Sequence, residues 1–361
     1  SGGCMKPFFK WSGGKRREIK RILEHMPPSY DKYYEPFVGG GALWLHLEPE
    51  KSIINDSYPD VMNFYDVLRT DTARFVETIN QLSSNFEKEV SNIKTDEELE
   101  KKVEEGKKEI DIHSKVLKEI TKPISSHLNE MSKKEYATTE ETMQNKKLLK
   151  HLRSSIKELE AELKTKKELH APFLEELKKD FKLIADKYYY HYRNNTFDTQ
   201  FDQAVRFYIL RQLSFSGMLR FDSKGSYNIP FGWYKALKKI EESEANIKRV
   251  LGNTTFLCGD WYESVKDATK NDFVFLDPPY TRKFTKYHPN GEFLDEEHRR
   301  LSKWFHETEA QVMIIINKDE FTTKLYDTFS KDTYGHKYSI QYRNRMKEED
   351  SNAVHMIATN Y

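Results

Sequence analysis

The sequence predicts an α/β domain on a mainly parallel sheet, interrupted by one long helical insertion. Three observations predict it. Short apolar runs alternate with helical patterns on either side of the chain's middle, as in βαβ units. Several of those runs end abruptly in glycine, acidic or Asp-Pro-Pro residues, and in open α/β sheets ligands bind beyond the carboxyl ends of strands. Between the two halves, residues 86–185 carry about 22 acidic and about 22 basic side chains, a shift in composition without a shift in net charge.

The candidate strands are residues 33–37, 52–55, 254–258, 273–276 and 311–316, with two more at 337–342 and 353–358 joined by a charged hairpin. Phe37 runs into Gly39-Gly40-Gly41, Ile54 into Asn55-Asp56, and Leu276 into Asp277-Pro278-Pro279-Tyr280. All three strand ends point to one crevice. In the charged segment Val103, Ile110, Leu117, Ile124 and Met131 recur every seven residues, with Leu99 and Ile120 at the complementary core position. Leu149, Leu152, Ile156, Leu159, Leu163 and Leu177 repeat the device. The polar stretch 132–141 between them makes a turn, so the segment reads as an antiparallel pair of coiled-coil helices, which Pro123 and Pro172 should kink or interrupt. A solvated spacer, a dimer contact and a grip on DNA all fit such an arm.

Composition bounds the rest. With 361 residues the chain can bury one substantial core and a smaller unit. No run approaches the roughly 20 apolar residues of a membrane span and no signal layout opens the chain, so a soluble, intracellular protein with no membrane partner is expected. Cys4 and Cys258 offer no metal-ligand spacing, so reduced thiols and no metal are expected. Residues 1–4 precede Met5 and read as a cloning scar. A formal net charge of +1 decides nothing about nucleic acid, since only clustered Lys and Arg make a phosphate-binding face.

The glycine cluster of Glu35-Pro36-Phe37-Val38-Gly39-Gly40-Gly41 lets backbone approach a ligand, and Asp56 after the next strand can accept from ribose hydroxyls. A dinucleotide fingerprint would need a third glycine where Trp44 stands. Gly13-Gly14-Lys15 lacks the earlier glycine of a phosphate loop, because Phe9 occupies its place. An adenosine-bearing cofactor without a pyrophosphate fits best, with the turn after Trp11 as a second wall. Asp277-Pro278-Pro279-Tyr280 is the most informative motif. An exocyclic amine on a base is a poor nucleophile because its lone pair is delocalised into the ring. Two acceptors, the Asp277 carboxylate and the Pro278 carbonyl, can each take one amine hydrogen and turn the lone pair out of that plane. The prolines stiffen the loop and deny it backbone donors. Tyr280 offers a face on which an extruded base can stack.

With these residues in view, the sequence resembles the Dam-like DNA adenine N6-methyltransferases. The blocks that carry the resemblance are residues 9–15, the 35–41 cluster, Phe215-Ser216-Gly217-Met218-Leu219-Arg220, residues 225–232, the Asp277 tetrapeptide and Tyr287-His288. It implies a Rossmann-like, seven-stranded methyltransferase sheet that uses S-adenosylmethionine, with a target-recognition region between the cofactor and catalytic motifs. The implied division is residues 5–85 and 252–361 for catalysis, 86–186 for the inserted arm and 187–251 for recognition. Cofactor contacts would fall to Trp11, Lys15, Glu35, Pro36, Phe37, Gly39, Gly41, Asp56 and Asp277, with Asp260 and Trp261 beside the cofactor adenine. Catalysis would fall to Asp277, Pro278, Pro279 and Tyr280. Readout of double-stranded DNA would fall to Lys10, Phe215, Ser216, Met218, Arg220 and Asn228. Members that read GATC commonly carry Asn where Ser216 stands and Leu where Met218 stands, while Lys10 and Arg220 match, so GATC or a close relative is the expected target. The resemblance also implies a place in the cytoplasm with the nucleoid, or in a host cell if the protein is viral.

Two other readings stay open on the residues alone. The acceptor pair would serve cytosine N4 or an RNA adenine equally well, although a Ser in place of Asp277 would have favoured cytosine by family likeness. A non-catalytic DNA-binding subunit using the arm for partners is the reading of a different class, and the intact cofactor and catalytic motifs argue against it.

Overall fold

The computed structural model describes residues 4–93, 96–133, 139–217, 219–279, 293, 295–337 and 352–361. The chain forms two compact units, one of residues 1–88 and 185–361 and one of residues 89–184.

The first unit is built on a sheet of seven strands: β1 (Tyr33–Glu35), β2 (Ser52–Asp56), β3 (Thr254–Cys258), β4 (Phe273–Leu276), β5 (Gln311–Asn317), β6 (Ser330–Lys337) and β7 (Asn352–Thr359). Their order is β3-β2-β1-β4-β5-β7-β6, parallel except for β7, which runs antiparallel to both neighbours. Helices α1 (Ile19–Glu24), α2 (Ala42–Leu47), α3 (Pro59–Thr70) and α4 (Thr72–Ser91) follow the early strands. In the second unit lie α5 (Glu97–Lys133) and most of α6 (Thr139–Ala185). Helices α7 (His191–Asn194), α8 (Gln200–Leu213), α9 (Glu244–Gly252), α10 (Trp261–Val265), α11 (Asp295–Glu307) and α12 (Glu320–Tyr326) complete the first. This is a mixed α/β fold consistent with an S-adenosylmethionine-dependent methyltransferase sheet.

The core explains the strand readings. Strands β1 and β4 are buried along their whole length and β5 along its central five residues, so they read as continuous apolar runs. β1 stops one residue before Pro36, which cannot donate to the ladder. Of the expected strand at 337–342 only Lys337 is described, as the last residue of the edge strand β6; residues 338–342 lie outside the described residues, as does most of the expected charged hairpin. The β6 sequence, SKDTYGHK, has almost no apolar alternation because it is an edge strand with one ladder partner, β7. Residues 187–251 do not form a unit of their own. Phe207 on α8 packs edge-on against Phe9 with ring centroids 5.0 Å apart, and Phe9 meets Phe64 of α3 at 5.2 Å.

In the second unit, His113 faces Glu162, Glu109 faces Lys166 and Val103 faces His170, so positions rise on α5 as they fall on α6 and the helices are antiparallel. Leu149, Leu152, Ile156, Leu159, Leu163 and Leu177 are half-buried. Pro123 and Pro172, expected to kink or interrupt the pair, lie inside helices that continue through them. One expectation needs correction. Ile120 is exposed at 37%, and Thr121 takes the inward place, because a 3.6-residue helix drifts off a strict seven-residue repeat.

Candidate active site

The strand order reverses direction of travel between β1 and β4, so the crevice beyond their carboxyl ends is the switch point of the sheet. Beyond β1, Gly39 and Gly41 have φ of +46° and +66°, a region that disfavours any side chain. A Cβ on Gly39 would lie 2.5 Å from the indole of Trp11, so the glycine is what lets that ring lie against the turn. Gly41 leads into α2, and a Cβ there would meet Trp44 at 2.9 Å. Trp44 is fully buried and donates its indole N–H to Ser52 Oγ at 3.2 Å. It fills the space that a third glycine would open beneath a pyrophosphate.

Asp56 ends β2 and faces the turn. Its Oδ2 accepts from Gly39 N at 3.0 Å and its Oδ1 from Tyr58 N at 2.9 Å. Burial pushes its carboxyl up to about 6, against the pull of the Tyr58 and Gly39 amides. Two residues that motif reasoning missed hold this geometry. Asn55 Nδ2 donates to the carbonyls of Pro36 and Gly259, both at 3.0 Å, tying the ends of β1 and β3 together. Tyr65 donates its hydroxyl to Gly39 O at 2.7 Å. Their signal is only that polar groups stand at a strand end and on the buried face of α3.

Glu35 is fully enclosed, accepts from the Tyr33 hydroxyl at 2.9 Å, and has its carboxyl pushed well up, first by burial and further by the charges of Asp277 and Asp56. Pro36 is buried, and Phe37 packs edge-on against Phe293 at 5.5 Å. Asp260 caps α10 through Tyr262 N and is held by both Nη atoms of Arg300 at 2.8 Å. Arg300 holds its carboxyl below the usual range. Trp261 is a core residue, 3% exposed, with Nε1 donating to Glu297 at 3.3 Å.

Asp277 follows β4 with its side chain 18% exposed, and Pro278 is buried. Its Oδ1 lies 3.0 Å from Nζ of Lys15, which is 3% exposed. Burial raises the Asp277 carboxyl and Lys15 opposes the rise. Lys15 thus belongs to the Asp277 side of the crevice. Behind it stands a pair that sequence reasoning did not single out. Glu18 accepts from His355 Nδ1 at 2.8 Å and from the Tyr334 hydroxyl at 2.5 Å. Burial works against its charge, but His355, Lys15 and Tyr334 together hold its carboxyl down at about 2. Tyr280, Tyr287 and His288 lie outside the described residues.

The described residues among those expected to read DNA share a second cluster. Lys10 is exposed beside Gly217, with Nζ 5.8 Å from the Tyr234 ring. Phe215 is 50% exposed and its amide donates to Pro230 O at 2.9 Å. Ser216 has φ of +58°. Arg220 donates from Nε to Asn228 Oδ1 at 2.9 Å, and Asn228 N returns a bond to Arg220 O at 3.1 Å. Met218 lies outside the described residues. Among the described residues no group of His, Cys, Asp and Glu is placed to hold a metal ion, and no helix is long and apolar enough to cross a membrane.

The family model of D12 class N6 adenine-specific DNA methyltransferases matches residues 11–172 and 164–340. The Type II methyltransferase M.CviBI of Paramecium bursaria Chlorella virus NC1A is 25% identical over 362 residues, covering 99% of this chain and 100% of that protein. The Type II methyltransferase M1.LlaDCHI of Lactococcus lactis subsp. cremoris is 25% identical over 366 residues, covering 99% and 96%. A DNA adenine methylase of Vibrio cholerae is 22% identical over 300 residues, covering 81% and 73%. With Asp277-Pro278-Pro279 directly after β4 and a family match over most of its length, the chain belongs to the D12 class N6 adenine-specific DNA methyltransferases and is an adenine-specific DNA methyltransferase.

Proposed function

We propose that this protein transfers a methyl group from S-adenosylmethionine to the N6 amine of an adenine flipped out of a short duplex site, GATC or a close relative. The observation that carries the reading is the meeting of two strand ends: Asp56 bound to the Gly39 turn beyond β2, and Asp277 beyond β4, with β1 between them.

The donor set fits an adenosyl cofactor without a pyrophosphate. Asp56 has its two oxygens aimed by backbone amides, leaving lone pairs for ribose hydroxyls. Trp11 lines the glycine turn, and Trp44 blocks the alternative dinucleotide geometry. When bound, S-adenosylmethionine supplies an electrophilic methyl group on a sulfonium. The chain's own part is alignment. The Asp277 carboxylate and the Pro278 carbonyl accept the two amine hydrogens, which localises the nitrogen lone pair, and Lys15 favours the ionised acceptor. Tyr280 is assigned the stacking face for the extruded base. Asp260 is assigned to the cofactor adenine, and Arg300 sets the orientation of its carboxylate.

Lys10, Phe215, Ser216, Met218, Arg220 and Asn228 are assigned to site readout. Asn228 orients the Arg220 guanidinium through Nε, and arginine is the commonest bidentate reader of guanine. The arm, residues 86–186, is assigned to self-association. Ile112, Val116, Leu169 and Phe173 are exposed apolar side chains on a charge-balanced helix pair, which favours a protein contact over a phosphate contact. The cytoplasm, with its DNA, is the expected compartment.

The reading is tested by treating unmethylated plasmid with the protein and S-adenosylmethionine and mapping methyladenine by position. Modification confined to one short motif containing adenine supports it. Modification without sequence preference, or none, counts against it.

A further inference from the structure

The turn that carries Phe215 and Ser216 is held from beneath by one buried cation. Arg211 stands in the last turn of α8 and is 2% exposed. Its Nη1 donates to the carbonyl of Gly217 at 2.9 Å and its Nη2 to the hydroxyl of Tyr227 at 2.6 Å. These acceptors belong to different stretches of chain. Gly217 closes the turn, whereas Tyr227 lies on the returning stretch of chain, where it forms an isolated bridge with Phe221 and leads into Asn228, the partner of Arg220. A guanidinium is a planar fork whose donors stand at fixed angles, so it sets two acceptors relative to one another as a flexible ammonium cannot.

What the fork holds is a turn under strain. Ser216 and Gly217 are consecutive residues at φ +58° and +59°, a conformation uncommon for serine. The Ser216 hydroxyl is also buried with no hydrogen-bond partner among the described residues, which opposes the conformation further. Strain of this kind persists only where the surroundings over-determine it.

We propose that Arg211 is a positioning residue for sequence selection. By bracing Gly217 against Tyr227 it presents Phe215 and Arg220 to the base edges in one register. The proposal rests on the reading of this segment as the site reader.

The test compares Tyr227→Phe and Arg211→Lys with wild type on the mapped target duplex and on duplexes with one base pair changed. Tyr227→Phe removes one acceptor without emptying the core, so it carries the test even where Arg211→Lys does not fold. The ratio of kcat/KM on target to altered duplex should fall roughly tenfold in Arg211→Lys and several-fold in Tyr227→Phe. The double variant should be no worse than Arg211→Lys. Cofactor affinity by calorimetry, and kcat at saturating target, should stay within about threefold of wild type. An unchanged ratio in folded Tyr227→Phe overturns the proposal. So does an equal loss on every duplex with loss of cofactor binding, which marks general damage. If wild type itself does not distinguish the duplexes, the recognition reading fails, and that is visible without any variant.

Discussion

Asp56 is the residue on which the cofactor assignment turns, and its environment makes that assignment measurable. A carboxylate whose two oxygens are already aimed by amides can add ribose hydroxyls at little reorganisation cost. Loss of one such charged hydrogen bond is worth about 1.5 to 3 kcal/mol. Asp56→Ala should therefore weaken S-adenosylmethionine binding about tenfold or more by calorimetric titration. The pH dependence has a definite sign. Burial sets this carboxyl at about 6, so the ionised acceptor is complete above that value and is lost as pH falls through it. Wild-type affinity should be flat from pH 7 to 8 and decline below about 6, while Asp56→Asn should lack that decline. Gly39→Leu should weaken binding too, because its side chain would collide with Trp11. Asp56 and Asp277 were legible in the sequence because each sits in a contiguous motif at a strand end. Arg211 was not, since a lone arginine in an amphipathic helix reads as surface until its burial is seen.

Elements matter here through what they bring from far along the chain. The end of the 3-10 turn before α1 supplies Glu18, and β7 supplies His355 from 337 residues away. No local pattern announces such a pair. The Glu18 carboxyl lies at about 2 in the fold against an ordinary 4.5, so its stabilisation is fully present above pH 4.5 and is lost as pH falls towards 2. Glu18→Gln should cost about 2 to 3 kcal/mol at neutral pH. Urea unfolding should show the gap between variant and wild type closing below pH 4. A constant gap across that range would assign the loss to packing. Strands β1, β4 and β5 were legible because two-sided burial writes an apolar run. β6 was not, because an edge strand at the end of the sheet needs little apolar character.

The molecule as a whole consists of a unit built on the seven-stranded sheet and a helix pair. Phe86 and Tyr188, on either side of the 89–184 unit, meet edge-on with ring centroids 5.2 Å apart. The chain therefore leaves and rejoins the sheet-bearing unit at nearly one point, and a short Gly/Ser bridge can replace residues 89–184. The shortened protein should methylate a short duplex within about threefold of full length. Light scattering should show the full chain as a dimer and the shortened one as a monomer. A folded but inactive shortened protein would place the arm in the catalytic apparatus. The arm's helices were legible from their heptads, but their function was not, since equal numbers of both charges leave no electrostatic footprint.

The central claim is methyl transfer to adenine N6 in DNA through Asp277, and one measurement reaches it most directly. Wild type and Asp277→Ala are incubated with duplex DNA and methyl-labelled S-adenosylmethionine, and the DNA is digested to nucleosides and separated. Label should appear in N6-methyldeoxyadenosine with wild type and be absent with Asp277→Ala, while calorimetry shows the variant still binding the cofactor. Label in N4-methyldeoxycytidine, or near-normal turnover by Asp277→Ala, would contradict the account.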